Sequence, residues 1–477
     1  MPLAISVRRR PGDRLALPLW PMAGDALARF AAELGPSLFS ADPVGLVCHA
    51  YDATNEFVLP AGVVRPRQAA EVGAVLAAAN RHGVPIVPRG AGTGFSGGAL
   101  AVRHGVVLDL QGMNRILDLD EAAMTVRVEP GVVTFHLQEL VEARQLYYPP
   151  DPASSKICTI GGNVAENAGG PHCVKYGVTR DYVLVVEGFT GDGRPLRAGK
   201  PTLKNRAGYN LKDLLIGSEG TLGVFTSILL RLVPKPEAAV LFAAFFPDLD
   251  AATGMVNTLW HAGINPASLE FMDEAALRAV ERHAPFGLPR HYQALLLIEV
   301  DGRAEEMAGL RQRVEGCLRG VAGEVRVATM AAERAALWEI RRKASPAMRA
   351  FGTKKANEDI VVPRQHIPAA MRGLRAIAER HALNIISFGH IGDGNIHVNI
   401  MYDADNPEEA RKVPVAIQEV FDLVGQFDGA VSGEHGIGIA KKPYLPRNLD
   451  PVSYDLMRSI KRIFDPNGVL NPHKIFY

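Results

Sequence analysis

Two histidines flank a glycine-rich turn near the C-terminal end of the sequence. Residues 388–399 read FGHIGDGNIHVN, and residues 384–388 and 396–401 have the apolar, β-branched pattern of strands. Gly and Asn residues in the connection favour a tight hairpin, which would bring His390 and His397 close together. Two imidazoles and one carboxylate suit a divalent metal ion. The pattern therefore indicates a metal site that lacks only its carboxylate.

A second motif, SGEHGIG at residues 432–438, offers that carboxylate as Glu434, with His435 beside it. The alternative is that the two hairpin histidines are structural and simply hydrogen-bonded, as most buried polar groups are. Two histidines around one glycine-rich turn, together with a Glu-His pair in another glycine-rich segment, favour the metal site.

Three further segments are unusually rich in glycine: residues 88–98, 160–170 and 217–224. The first satisfies GxGxxG, but an apolar strand pattern follows it at residues 106–110, whereas a Rossmann fold requires a helix there. Consecutive backbone N–H groups in such segments can still bind phosphates. A merely flexible turn is the alternative, although it seldom combines so many glycines with Arg, Thr and Ser. The three segments together favour a dinucleotide bound outside a Rossmann frame.

Composition excludes several classes of protein. Lys and Arg number 52 and Asp and Glu 51 in 477 residues, so the net charge of +1 gives no electrostatic drive toward nucleic acid. Four cysteines without a CxxC pair do not form a disulfide framework, which favours a cytoplasmic protein. No apolar run approaches the roughly 20 residues of a membrane span, and no secretory signal is evident.

The periodicity predicts how these motifs are positioned. Helices are expected at residues 25–34, 68–81, 133–144, 248–263 and 304–319, and strands at residues 84–88, 106–110, 125–128, 182–189, 239–246 and 295–299. A connector with two prolines, residues 232–237, suggests a domain boundary. Beyond it, strands and helices alternate as in an antiparallel sheet with helices on one face.

The motifs in residues 89–98, 149–177 and 217–224, together with the C-terminal His and Glu motifs, resemble those of the FAD-linked D-2-hydroxy-acid dehydrogenases. That family includes glycolate oxidase flavin subunits, D-lactate dehydrogenases and D-2-hydroxyglutarate dehydrogenases, within the vanillyl-alcohol oxidase and p-cresol methylhydroxylase superfamily. The resemblance extends from about residue 50 to the C-terminus.

The resemblance implies an α+β fold of two domains. A non-Rossmann FAD-binding domain of p-cresol methylhydroxylase type is expected at residues 1–235. A substrate or cap domain with an antiparallel sheet, of the FAD-linked oxidase C-terminal type, is expected at residues 236–435. Residues 436–477 are expected to return to the FAD-binding domain.

The resemblance also implies which residues bind FAD. Residues 90–96 would surround the pyrophosphate, and residues 161–167 would flank the isoalloxazine and ribityl groups. The full predicted set is Arg89, Gly90, Ala91, Gly92, Thr93, Gly94, Ser96, Pro149, Asp151, Gly161, Gly162, Asn163, Glu166, Asn167, Gly170, Tyr176, Gly177, Glu219, Gly223, Val224 and Asn471. The first segment contains no histidine for covalent attachment, so we expect non-covalent FAD, with His172 as a weaker candidate for a covalent link.

For the reaction, the resemblance implies His390, His397 and Glu434 as ligands of Zn, Mn or Fe, and His435 as the catalytic base. Arg341 would bind the substrate carboxylate, although a solvent-exposed arginine is the alternative. Ser345 is a further expected substrate contact. Asn399 lies on the same strand face as His397 by the two-residue period, so it is expected to contact the substrate or a metal-bound water. The metal would stabilise the alkoxide, His435 would take the hydroxyl proton, and hydride would pass from C2 to flavin N5.

Substrate and partners are less specified. Relatives that act on D-2-hydroxyglutarate carry a lysine before a segment ending in proline, where this sequence has residues 357–359, Asn-Glu-Asp. Glycolate or D-lactate is therefore expected, although Lys354 and Lys355 nearby keep D-2-hydroxyglutarate as an alternative. The electron acceptor would be a quinone, an electron-transfer flavoprotein, an iron–sulfur subunit or oxygen, and a homodimer is one option. A non-catalytic flavin-carrying subunit and a metal hydrolase are the alternatives from other classes.

Overall fold

The computed structural model describes residues 25–476. The first layer is a four-stranded sheet with the order β1-β2-β4-β3, in which β4 pairs in parallel with β2 and β3. Its elements are α1 (Ala26–Leu34), β1 (Phe39–Ser40), α2 (Pro43–Cys48), β2 (Gly62–Val64), α3 (Ala69–His82), β3 (Ile86–Arg89) and β4 (Val106–Asp109). Val72, Val75 and Leu76 of α3 are fully buried, and Gly83 ends the helix in the left-handed conformation, φ 66°. Strand β3 leads directly into the first glycine-rich segment.

The second layer is an antiparallel sheet with the order β5-β6-β10-β8-β9, and β7 pairs with β11 beside it. Its elements are β5 (Ile116–Asp120), β6 (Thr125–Val128), α4 (Thr134–Glu142), β7 (Leu146–Tyr147), α5 (Ile160–Glu166), α6 (Cys173–Tyr176), β8 (Val183–Thr190), β9 (Pro195–Gly199), α7 (Leu211–Leu215), β10 (Gly223–Arg231) and β11 (Val233–Pro234). The second glycine-rich segment is not irregular throughout, because α5 occupies most of it. Thr159 caps that helix, and Asn167 ends it with φ 54°.

The third layer is a seven-stranded sheet in which every pair of neighbours is antiparallel, with the order β15-β12-β14-β13-β17-β18-β16. Its strands are β12 (Ala238–Phe246), β13 (Ser268–Asp273), β14 (Ala294–Gly302), β15 (Glu324–Ala328), β16 (Lys354–Val361), β17 (Asn384–Gly389) and β18 (Asn395–Tyr402). The expected α+β class, with an antiparallel sheet in the second half of the chain, is confirmed.

The expectation that helices cover one face of this sheet is wrong, because they cover both. One face carries α8 (Leu249–His261), α10 (Met307–Leu318), α13 (Ile367–His381) and α14 (Pro407–Gln426); the other carries α9 (Glu274–His283), α11 (Ala331–Arg342) and α12 (Ala344–Ala347). Phe242 and Phe246 of β12 pack against the helices on the first of these faces, while Leu241 and Phe245 pack against the helices on the opposite face. The unbroken apolar run of β12 is typical of a strand buried on both sides.

The C-terminal residues contact the first layer. After α15 (Leu445–Asn448) and α16 (Pro451–Phe464), Leu470 pairs with Ile86 of β3. Asn471 donates to the carbonyls of Gly98 (3.1 Å) and Glu219 (2.8 Å), and Lys474 Nζ donates to the carbonyls of Gly97 (2.8 Å) and Leu100 (2.6 Å). The predicted domain boundaries at 235 and 435 stay predictions. None of the helices in residues 25–476 has the length and apolar character needed to cross a bilayer.

Candidate active site

A cavity of about 1160 Å³ lies between the glycine-rich segments and the seven-stranded sheet. Its walls come from parts of five regions: residues 88–99 at the end of β3 and beyond it, residues 151–172 around α5, residues 219–225 before and within β10, helix α11, and the histidine hairpin β17-β18. Ligand pockets are commonly about 300–1,000 Å³, so this one has room for a ligand larger than most.

Many of the residues predicted to bind a cofactor lie together on this wall. Those that line the cavity are Arg89, Gly90, Ala91, Gly92, Thr93, Gly94, Asp151, Gly161, Gly162, Asn163, Glu166, Glu219, Gly223 and Val224. Predicted residues outside the lining are Ser96, Pro149, Asn167, Gly170, Tyr176, Gly177 and Asn471. Tyr176, for example, donates its hydroxyl to Asp301 (2.7 Å) and so joins the two halves of the chain. Asn471 likewise supports the wall from behind, because its amide donates to the carbonyls of Gly98 and Glu219.

Two glycines, one from each of the first two glycine-rich segments, show why the cavity wall requires glycine. Gly92 has φ 68°, and a Cβ atom there would overlap the guanidinium of Arg89. A Cβ on Gly161 would lie 2.5 Å from Cβ of Pro130. Arg89 itself is buried and donates to the carbonyl of Tyr51 (2.8 Å), so its side chain supports the segment that it precedes.

The two hairpin histidines and Glu434 converge on one point of the opposite wall. The rings of His390 and His397 lie 5.1 Å apart. Nε2 of His390 is 3.3 Å, and Nε2 of His397 3.6 Å, from Oε1 of Glu434. One side-chain ligand atom of each residue lies within 4.8 Å of the others, and all three residues line the cavity.

Glu270 of β13 holds His390 from behind. This fully buried carboxylate lies with Oε1 2.5 Å from Nδ1 of His390, and Oε2 accepts from Nε of Arg341 at 2.7 Å. Burial opposes ionisation, but the two neighbouring cations lower the pKa of Glu270 to about 2. Burial likewise opposes charge on His390, whereas Glu270 and Glu434 raise its pKa well above the usual value. The Nδ1 contact leaves Nε2 of His390 directed at Glu434.

Asp359 of β16 organises the segment that carries Glu434. Its Oδ2 atom accepts the backbone N–H groups of Gly433 (2.9 Å), Glu434 (2.8 Å) and His435 (2.9 Å), and Oδ1 lies 3.5 Å from Nδ1 of His397. Although burial favours the neutral form, His435 and Lys441 hold the pKa of Asp359 well below its usual value. One ionised carboxylate therefore positions both the Glu-His motif and a hairpin histidine.

His435 lies between two rings at the cavity wall. It stacks on His397, with centroids 5.2 Å apart, and on Phe95 at 4.7 Å. Burial lowers the pKa of His435 to about 4, so the ring is neutral at pH 7. Its Nδ1 atom has no hydrogen-bond partner among residues 25–476. A neutral imidazole with a free ring nitrogen is able to accept a proton.

The predicted substrate contacts divide into two groups. Arg341 lines the cavity from α11, with its guanidinium 4.4 Å above the Phe388 ring, and Ser345 lines it nearby. Asn399 differs from the prediction because it is fully buried outside the lining. Its Oδ1 atom accepts from Nδ2 of Asn357 (2.6 Å), and its Nδ2 atom donates to the carbonyl of Ile386 (3.1 Å). Asn357, its cross-strand neighbour, lines the cavity instead.

Sequence reasoning missed Glu270 and Asp52, and it gave Asp359 and Phe95 no separate role in the site. An acidic residue in the middle of an apolar strand, as in the SLEFMD run of β13, is a signal that could have indicated Glu270. Asp52 gives no such signal, because a loop brings it to the wall through the hydrogen bond from Ala53 N to the Gly94 carbonyl (3.1 Å).

His172, the weaker candidate for a covalent link, also lines the cavity. Its Nδ1 atom lies 2.6 Å from Oδ2 of Asp151. Burial opposes the charged form, but Asp151 raises the pKa of His172 to about 9. The side chain is therefore an ion-pair partner at neutral pH, and non-covalent binding stays a prediction.

Comparison with known proteins was made by sequence and by structure. The family model "FAD linked oxidases, C-terminal domain" matches residues 235–475, and the model "FAD binding domain" matches residues 60–199. The glycolate oxidase subunit GlcD of Bacillus subtilis (strain 168) is 41% identical over 444 residues, which cover 93% of this chain and 94% of that protein.

Two further relatives carry other names. A D-lactate dehydrogenase of Anaerostipes hadrus is 35% identical, with 88% of this chain and 90% of that protein covered. A D-2-hydroxyglutarate dehydrogenase of Stutzerimonas stutzeri (strain A1501) is 35% identical, with 93% and 97% covered. Among solved structures, p-cresol methylhydroxylase with bound substrate has a TM-score of 0.78 at 18% identity, covering 94% of this chain and 95% of that one. At that identity, the structural likeness concerns the fold alone.

Proposed function

This chain belongs to the family of FAD-linked oxidases, and on that premise we propose that it oxidises a small D-2-hydroxy acid, glycolate or D-lactate, to the 2-oxo acid with the help of a divalent metal. Membership confirms the family predicted from the sequence and makes the protein an FAD-dependent oxidoreductase. One observation carries the proposal: the His390, His397 and Glu434 cluster faces the same cavity as the glycine-rich segments.

The donor set supports a metal at the cluster. Two imidazoles and a carboxylate suit Zn, Mn or Fe, and the Nδ1 atom of His390 is held by a carboxylate, as is common for metal-ligating histidines. His390, His397 and Glu434 would hold the ion, which would supply Lewis acidity for the substrate hydroxyl. The cluster offers three ligands, so a position stays available for substrate.

The remaining groups have separate tasks. Arg341 would bind the substrate carboxylate, since a guanidinium forms a two-pronged hydrogen-bonding pair with a carboxylate. His435 would take the hydroxyl proton onto its ring nitrogen. FAD, when bound, is the oxidant that accepts the hydride from C2. Phe95 and Phe388 also line the cavity, where Phe95 stacks on His435 and Phe388 contacts His397 edge-on.

Anaerobic mixing tests the proposed reaction. We expect glycolate or D-lactate to bleach the yellow absorbance of the purified protein, and L-lactate to leave it unchanged. Equal bleaching by D-lactate and L-lactate would contradict the proposal. The absence of bleaching with every 2-hydroxy acid would contradict it as well. A colourless protein that hydrolyses its substrate without an electron acceptor would indicate the metal hydrolase instead.

The metal proposal predicts that Glu270→Gln weakens metal binding by about 10–100-fold, because the variant loses the carboxylate that orients His390. Metal titration of chelator-treated protein measures this affinity. Glu281→Gln is the matched control, since that carboxylate accepts from Phe286 and Leu288 N–H groups beyond α9. Equal metal affinity in both variants would contradict the assignment of the site.

Lys355 favours D-2-hydroxyglutarate as the second candidate. This ammonium lines the cavity 3.4 Å from Ser345 Oγ, and within residues 25–476 no carboxylate lies at ion-pair distance from it. A distal substrate carboxylate would supply one.

Substrate comparison distinguishes the two candidates. We expect Lys355→Met to change the ratio of kcat/KM for D-lactate and D-2-hydroxyglutarate by less than about 3-fold. A selective loss of about 10-fold or more with the diacid, the value of a lost charged hydrogen bond, would favour the second candidate.

Turnover also requires an electron acceptor. A quinone, an electron-transfer flavoprotein and an iron–sulfur subunit stay the proposed classes. The homodimer and the cytoplasmic location also stay predictions.

A further inference from the structure

Two carboxyl groups share a small space beside the glycine-rich segments, and the proposed mechanism uses neither. Glu166 ends α5 and Glu219 precedes β10, and both line the cavity. A Cβ atom built on Gly436 would lie 2.6 Å from Glu166 Oε2 and 3.1 Å from Glu219 Oε1. One built on Gly98 would lie 3.3 Å from Glu166 Oε1 and 4.0 Å from Glu219 Oε2. The two carboxyl groups therefore border the same space on two sides.

The surroundings of the two groups differ in hydrogen-bond donors. Glu219 accepts the backbone N–H groups of Ile437 (2.8 Å) and Gly438 (2.6 Å). Glu166 Oε2 is inaccessible to solvent and has no hydrogen-bond partner within residues 25–476. Because N–H donors favour the ionised form, the negative charge of the pair belongs on Glu219, and a shared proton belongs on Glu166.

The other charged groups around Glu166 agree with this division. Burial raises its pKa well above the usual value, and the charges of Glu219 and Asp52 raise it further, whereas Lys474 opposes them. Lys474 donates its hydrogen bonds to the carbonyls of Gly97 and Leu100 and not to Glu166. Two carboxyl groups this close to each other cannot both ionise readily in a buried site.

We propose that Glu166 is a neutral carboxylic acid at pH 7 and donates a hydrogen bond into the cofactor cavity, to an acceptor atom of bound FAD. Oε1 of Glu166 lies near Gly94, 3.9 Å from where a Cβ of that residue would be, so the group reaches the wall of the first glycine-rich segment. A protonated carboxyl can donate, whereas a carboxylate only accepts. A second negative charge at this wall would also oppose the charge that reduction adds to FAD.

Infrared spectroscopy of the FAD-loaded protein tests the protonation directly. We expect the carbonyl stretching band of a protonated carboxyl at pH 7 in the native protein, and its loss in Glu166→Gln. If no band at pH 7 depends on Glu166, the proposal is wrong. This readout does not depend on turnover, so it fails or succeeds separately from the proposed substrate.

FAD release on dilution tests the hydrogen bond. Glutamine keeps a donor of the same shape, so we expect Glu166→Gln to retain FAD within about 3-fold of the native affinity. Glu166→Ala removes the donor and is expected to bind FAD about 2- to 10-fold more weakly. Equal loss of FAD in both variants would overturn the donor role, and the glutamine variant and its spectrum still decide the question if the alanine variant does not fold.

Discussion

Replacing His435 with asparagine is expected to lower kcat by about 10²–10⁴-fold, the usual contribution of a positioned general base. The ring lines the cavity, is neutral, is stacked between His397 and Phe95, and has an Nδ1 atom with no hydrogen-bond partner among the described residues. Asparagine removes the proton acceptor but keeps a polar side chain. Flavin bleaching by substrate in anaerobic stopped flow measures the chemical step directly.

The control for this prediction is His366→Asn, because His366 stacks on Phe427 away from the cavity. That variant should bleach at the native rate, and both variants should keep FAD. If His435→Asn bleaches within a few fold of the native rate, His435 is not the base and another group takes the proton.

Replacing Arg341 with methionine is expected to lower kcat/KM by roughly 30-fold to 5,000-fold, the equivalent of about 2–5 kcal/mol for truncating one partner of a buried charge pair. Its Nε atom is committed to Glu270, and within the described residues no partner contacts the two terminal nitrogens, which can therefore bind a substrate carboxylate. Arg341→Lys keeps the charge without the planar fork, so we expect an intermediate loss.

Measurement of metal affinity separates two causes of the expected loss of kcat/KM in the Arg341 variants. Arg341 and His390 share Glu270, so a lost guanidinium could act through the metal site as well as on the substrate. Unchanged metal affinity with a raised KM would indicate carboxylate binding. Arg311→Met, which removes only an exposed pair with Glu315, is the control. If Arg341 is only a solvent-exposed side chain, Arg341→Met will keep kcat/KM near the native value.

Local patterns predicted most helices and strands, because burial periodicity and glycine stops act over a few residues. The helix that ends at Gly83 and the hairpin that joins His390 to His397 are examples. The two covered faces of the seven-stranded sheet were missed, although the apolar run of β12 contains that information. The apolar pattern of one strand does not say whether helices elsewhere in the chain cover the second face of the sheet.

The site shows where sequence reasoning stops. Alternation placed Asn399 and His397 on one face of β18, but register then pairs Asn399 with Asn357 of β16, which lies at the cavity in its place. Strand register between segments about 40 residues apart depends on the whole sheet. Glu270 and Asp359 were missed for the same reason, since each acts on residues more than 70 positions away.

The bonds from residues 470–474 to β3 and to the carbonyls of Gly97, Gly98 and Leu100 have a consequence for biosynthesis. Lys474 follows Gly97 by 377 positions, so the first glycine-rich segment is synthesised long before the residues that hold its conformation. We therefore expect stable FAD binding to follow the synthesis of residues 470–474, and a nascent chain arrested near residue 460 to lack the coenzyme.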